Sequence, residues 1–121
     1  MRILILDDEP GLAEMTALSL RTAGFPALGF TRPSEALAAL GELDVLVTDY
    51  DMPEMTGLEV AKRAYDQGWR GSLMIMSGRA MAIGEAIEHP LLRIILNKPF
   101  TAQNLIEALP SATHGSELPG A

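Results

Sequence analysis

Four short runs that are apolar at every position constrain this chain most: ILIL at 3–6, VLV at 45–47, LMIM at 73–76 and IIL at 94–96. A strand with one wetted face alternates apolar and polar residues, so a run without alternation must be covered on both faces. A parallel sheet clothed by helices meets that condition and places the chain in the α/β class. A weaker run, ALGF at 27–30, reads as an edge strand. Five strands are therefore predicted, at Ile3 to Leu6, Ala27 to Phe30, Val45 to Thr48, Leu73 to Met76 and Arg93 to Leu96.

Between these runs the apolar spacing changes to that of a helix. Leu12, Met15 and Leu18 mark one apolar face, Ala36, Leu37 and Leu40 a second, and Leu58, Ala61 and Tyr65 a third. Pro10 and Pro33 suit first turns, and Gly24, Gly41 and Gly68 suit helix ends. Thr101 suits the cap of a last helix carrying Leu105 and Leu109. A short helix is expected near Met81 to Glu88, ending at His89-Pro90. Beyond Pro110 no apolar period remains, so the expected organisation is one domain over 1–110 and a disordered tail over 111–121. Right-handed crossovers wind such a chain into a doubly wound parallel sheet with helices on both faces.

Ligands of doubly wound sheets bind beyond the carboxyl ends of the strands, and the charged residues stand there. Asp7 and Asp8 follow the first run, Asp49 the third and Lys98 the fifth. The loop after the first strand reads DDEPG, not a glycine-rich phosphate cradle, which disfavours nucleotide or flavin binding. It suits a hard divalent cation, Mg2+ or Mn2+, held by carboxylates, waters and a substrate phosphate. At a separation of about 5 Å and an effective dielectric of about 20, each carboxylate pair repels by roughly 3 kcal/mol. Grouped acids at that cost require counter-charge, which Lys98 and a metal supply.

The remaining composition excludes several classes. A net charge of -7, with nine Lys and Arg spread along the chain, repels a phosphate backbone, so direct binding to nucleic acid or a membrane surface is not expected. No cysteine is present, which removes disulfides and thiolate chemistry. The first thirty residues do not read as a signal peptide, and cytoplasm is the expected compartment. Met74 and Met76 read as core residues on one strand face, and His89 and His114 as unconnected with chemistry. Trp69 and Tyr50 are candidate markers of a partner surface.

Taken together and in order, the acidic pair Asp7-Asp8, VLVTDYDMPEMTGLEV around Asp49, MSG at 76–78 and NKPF at 97–100 resemble the receiver domain of two-component response regulators. The resemblance runs over about residues 2 to 109. It implies a flavodoxin-like sheet of order 2-1-3-4-5, with Asp49 accepting a phosphoryl group from a histidine kinase or histidine phosphotransfer protein. It implies that Asp8 binds Mg2+ directly, Asp7 through water, and that Asp49 and the backbone carbonyl of Asp51 complete the set. Ser77 and Lys98 would hold phosphoryl oxygens, and the bond before Pro99 would be cis. Asp51 and Arg79 would flank the phosphoryl group and tune its lifetime, pairing with each other or standing in solvent. The family's usual aromatic switch residue is here Ile95, a departure that bears on how an output surface responds.

The leading reading is a stand-alone receiver, similar to the chemotaxis receiver, that switches binding to a downstream protein whose identity the sequence does not specify. Asp49-Tyr50-Asp51 behind an apolar strand also resembles the first motif of haloacid dehalogenase phosphatases. There the paired acids come last in the chain, whereas here they come first. A third reading is a receiver that acts by binding alone, against which the intact acidic pair and lysine argue.

Overall fold

The computed structural model describes residues 1–78 and 88–114. Its strands are β1 (Ile3–Leu6), β2 (Ala27–Phe30), β3 (Val45–Asp49), β4 (Ser72–Ser77) and β5 (Leu92–Asn97). Its helices, among the described residues, are α1 (Pro10–Thr22), α2 (Pro33–Ala39), α3 (Gly57–Asp66) and α4 (Ala102–His114). All neighbouring strands pair in parallel in the order β2-β1-β3-β4-β5, with β3 at the centre. Among the described residues no helix is long and apolar enough to cross a membrane.

The uninterrupted apolar runs divide by parity between two cores, as the pleat requires. Leu4, Leu6, Leu46, Leu73 and Ile75 face α2 and α3. Ile3, Ile5, Val45, Val47, Met74 and Met76 face α1 and α4, where they meet Ala17, Leu20, Leu105 and Leu109. Both methionines of β4 are thus core residues.

Pro10 and Pro33 occupy first-turn positions, and Gly24 and Gly68 take positive φ just past helix ends. Thr56 and Glu59 form a reciprocal capping box at α3. Thr101 and Asn104 do the same at α4, with the Thr101 Oγ accepting the Asn104 N–H at 3.1 Å.

Three findings differ from the sequence reading. In α1 the inward residues are Ala13, Ala17 and Leu20, while Leu12, Met15 and Leu18 are exposed. The cause is distance: a Cβ on Gly29 of β2 would stand 2.7 Å from the Ala13 carbonyl oxygen. A helix that close to the sheet leaves room only for small side chains at its N-terminal half, so the longer ones point away. Trp69 is a core residue, 7% exposed, whose indole N–H donates to the Leu43 carbonyl at 2.8 Å, and Tyr50 packs partly buried against the same core. Finally, α4 runs past Pro110 to His114. Extending an established helix costs far less than nucleating one, so a polar stretch continues it without an apolar face. The helix expected near 81–88 lies almost wholly outside the described residues, as do Arg79 and residues 115–121.

Candidate functional site

Parallel pairing with Leu6 opposite Thr48 brings the residues after β1 beside the last residue of β3. Asp7, Asp8 and Asp49 meet there, each offering a carboxylate oxygen within 4.8 Å of the others. Asp7 and Asp49 are buried and Asp8 is half-buried. Backbone contacts fix the geometry. The Asp7 N–H donates to the Phe30 carbonyl at 3.1 Å, and its carboxylate accepts the Glu9 N–H at 3.0 Å.

Lys98 arrives from β5, two strands from β3. Its backbone N–H donates to the Ser77 carbonyl at 2.8 Å, which ties it to the end of β4. Its ammonium then reaches Asp49 at 3.2 Å and Asp7 at 3.5 Å. The Lys98–Pro99 peptide bond is cis.

Burial pushes the Asp49 carboxyl above its ordinary range; Lys98 opposes that rise, while Asp7 and Asp8 add to it. For Lys98, burial acts downward, but attraction to Asp49 and Asp7 and hydrogen bonds to both outweigh it, and the net shift is upward. Charge at this edge is therefore unbalanced toward the negative, and an added cation would favour the ionised carboxylates. The donor set, three carboxylates without nitrogen or sulfur, fits a hard divalent ion.

Ser77, at the end of β4, is 1% exposed and pairs in register with Asn97. Asp51 is exposed, two residues beyond Asp49. Ile95 pairs with Ile75 and packs, partly buried, on the α2–α3 side of the sheet. Asp7, Asp8, Asp49 and Lys98 are thus gathered by the fold, while Arg79 lies outside the described residues.

Sequence reasoning passed over two features. Gly57 begins α3 directly against β3: a Cβ there would collide with the Asp49 carbonyl oxygen. Its place directly before the apolar repeat that starts at Leu58 carried no signal of that contact. The second is a cleft of about 440 Å³ beside the acids, lined by Asp7, Leu12, Thr16, Met76, Lys98, Pro99 and Phe100. It joins residues from two elements and two loops and so could not be seen as a motif.

A family model described as the response regulator receiver domain matches residues 3–110. The chain is 30% identical over 111 residues to the response regulator receiver protein CpdR of Brucella abortus, covering 89% of this chain and 92% of that one. Among solved structures, a response regulator receiver domain protein from Clostridium thermocellum superposes with a TM-score of 0.83 at 24% identity, over 96% of each chain. The chemotaxis protein CheY4 of Vibrio cholerae gives a TM-score of 0.80 at 25% identity, over 92% of this chain and 97% of that one. The family typically binds Mg2+ at an acidic cluster such as this one and works with kinases or phosphotransfer proteins and downstream effectors. The haloacid dehalogenase reading gains no support. This chain belongs to the response regulator receiver family of two-component signalling.

Proposed function

We propose that Asp49 is the phosphoacceptor of a cytoplasmic receiver, taking its phosphoryl group from the phosphohistidine of a kinase or phosphotransfer protein. The observation that carries this reading is the placement of a buried Asp49 carboxylate 3.2 Å from the Lys98 ammonium, within the Asp7–Asp8 cluster. A carboxylate oxygen of Asp49 attacks phosphorus in line with the donor nitrogen. The O–P bond forms as the P–N bond breaks, and the imidazole leaves with the bonding pair and is neutralised by a proton. Little covalent chemistry is asked of the protein; it aligns the groups and neutralises charge.

Lys98 pairs with one equatorial oxygen, and the Ser77 hydroxyl donates to another. Asp8, Asp49, the Asp51 carbonyl and, through water, Asp7 would hold Mg2+ or Mn2+. That ion, when bound, supplies neutralising charge to the transferring group. Asp51 and Arg79 match in sequence the family positions that tune how soon water attacks the acyl phosphate, releasing inorganic phosphate and free Asp49. Ile95 in place of an aromatic switch directs the response toward the loops around Asp51 and Ser77.

The exposed face of α1 supports a docking role for the donor. Leu12 lines the cleft beside Asp7 and Lys98, and Met15 and Leu18 continue the apolar stripe away from it. A donor helix laid on that stripe would bring its phosphohistidine over Asp49. Downstream, the phosphorylated form would bind a protein partner rather than nucleic acid.

Incubation with acetyl phosphate and Mg2+, followed by mass mapping, tests the reading. One phosphoryl group per chain, on Asp49 and dependent on the divalent ion, is the expected result. Label on another residue, or steady phosphate release from a small phosphomonoester, would remove it.

A further inference from the structure

The peptide that joins Asp49 to Tyr50 is held at both ends. Its N–H donates to the Met76 carbonyl of β4 at 2.9 Å, and its carbonyl oxygen accepts the Thr48 hydroxyl at 3.0 Å. Gly57 lies against that same oxygen and donates its own N–H to the Tyr50 carbonyl at 2.8 Å. The turn leaving the nucleophile is thus framed by three elements.

Thr48 is an unusual choice for its place. It is wholly buried, in register with Leu6 of β1 and Ile75 of β4, on the sheet face that carries Leu46. Valine would fill the same volume there without bringing a hydroxyl out of water, a transfer that is unfavourable unless a hydrogen bond is made. The bond that Thr48 makes is to the backbone of Asp49. Holding that carbonyl restrains rotation about the backbone bonds on either side of it. One neighbouring Cα carries the carboxylate that faces Lys98; the chain beyond the other leads to Asp51.

We propose that Thr48 is a positioning residue: its hydroxyl sets the tilt of the Asp49–Tyr50 peptide and thereby the aim of the Asp49 carboxylate and the Asp51 carbonyl. The inference rests on the reading of Asp49 as phosphoacceptor. Thr48 touches neither substrate nor metal and acts through Asp49, so its loss should slow the chemical step and leave donor binding alone. A misaimed nucleophile lowers the maximal rate because alignment is much of what the site contributes.

The experiment follows phosphorylation of the full chain by acetyl phosphate with Mg2+, by intact mass, for the wild type, Thr48→Val, Thr48→Ala and Thr48→Ser. Thermal melts of each are recorded in parallel. The expected result for Thr48→Val is a maximal rate about tenfold lower, with the half-saturating acetyl phosphate concentration unchanged and melting no lower than wild type. Thr48→Ser, which keeps the hydroxyl, should recover the rate to within about twofold. Thr48→Ala reports the same rate loss if the valine variant does not fold. A wild-type rate in Thr48→Val or Thr48→Ala overturns the proposal. So does a rate loss that Thr48→Ser shares in full, which would mark the residue as merely structural. Failure of the wild type to take up phosphoryl would instead refute Asp49 as acceptor.

Discussion

α1 and α3 lie on opposite faces of the same sheet and solve its covering differently. α3 is capped at its start by Thr56 and Glu59 and turns its largest apolar residues inward, with Leu58, Val60, Ala61 and Ala64 buried. α1 has no side-chain cap, seats itself on Ala13, Ala17 and Leu20, and leaves Leu12, Met15 and Leu18 in solvent. Local spacing announces that a helix exists; the gap left by the sheet decides which face turns in. Where Gly29 lets the backbone come close, alanine is the better inward residue and leucine is released for another use.

The largest test of that contrast compares like substitutions on the two helices. Leu58→Ala on α3 should cost about 3 kcal/mol in denaturant unfolding, because it opens a cavity in a closed core. Leu18→Ala on α1, at a position 55% exposed, should stay within about 0.5 kcal/mol. Comparable losses would mean that α1 seats on Leu18 after all.

Gly29→Ala probes the close approach itself. The new methyl meets backbone, which cannot swing aside as a side chain tip can, so a loss of about 2 kcal/mol is expected from overpacking. A neutral result would show that α1 has slack against β2. Removing the α3 cap with Thr56→Ala should cost about 1 kcal/mol, measured in the same way. No such lever exists at α1, where Glu9 makes no side-chain cap.

The smallest effect concerns how α3 is fastened to the chain before β5. The His89 Nδ1 accepts the Leu91 N–H at 3.1 Å, its ring meets Tyr65 edge-on at 5.9 Å, and it is also hydrogen-bonded to the Ala61 backbone. Burial, with Lys62 adding to it, holds the imidazole below its usual 6.5, although the Ala61 bond acts the other way. A group whose pKa is lower folded than unfolded binds more protons unfolded, so its contribution is complete above 6.5 and declines as pH falls below that value. His89→Asn keeps an acceptor for Leu91 and does not titrate. Unfolding curves between pH 7 and pH 5, about the window in which imidazole charges, should therefore fall less steeply for the variant; equal slopes would assign the acid sensitivity to carboxylates alone.

Much of the site was legible in one dimension because its chemistry sits directly behind strands. Asp7, Asp8, Asp49 and Lys98 each follow an apolar run, and parallel strands carry such positions to one edge whatever the intervening helices do. Strand bounds came within one residue, and in β1, β3 and β4 the reason is that a run buried on both faces starts and stops where its apolar residues do. Properties that depend on distances between elements were not legible. The inward face of α1 depends on Gly29, the burial of Trp69 on a carbonyl 26 residues away, and the contact of Gly57 with Asp49 on where α3 docks. The bond from Thr48 to its neighbour is local, yet a threonine within an apolar run reads as a β-former and nothing more.

Lys98 leaves the last strand and reaches over the end of β4 to a carboxylate on the middle one, while keeping a second carboxylate within range. It works as a beam balance with an anion in each pan. A phosphoryl dianion on Asp49, as proposed above, would make one side heavier and draw the ammonium away from Asp7. The arm of that balance is the Lys98–Pro99–Phe100 corner, which lines one cleft with Leu12 and Thr16 of α1, so a change of charge at one atom would be felt at the rim beside that helix.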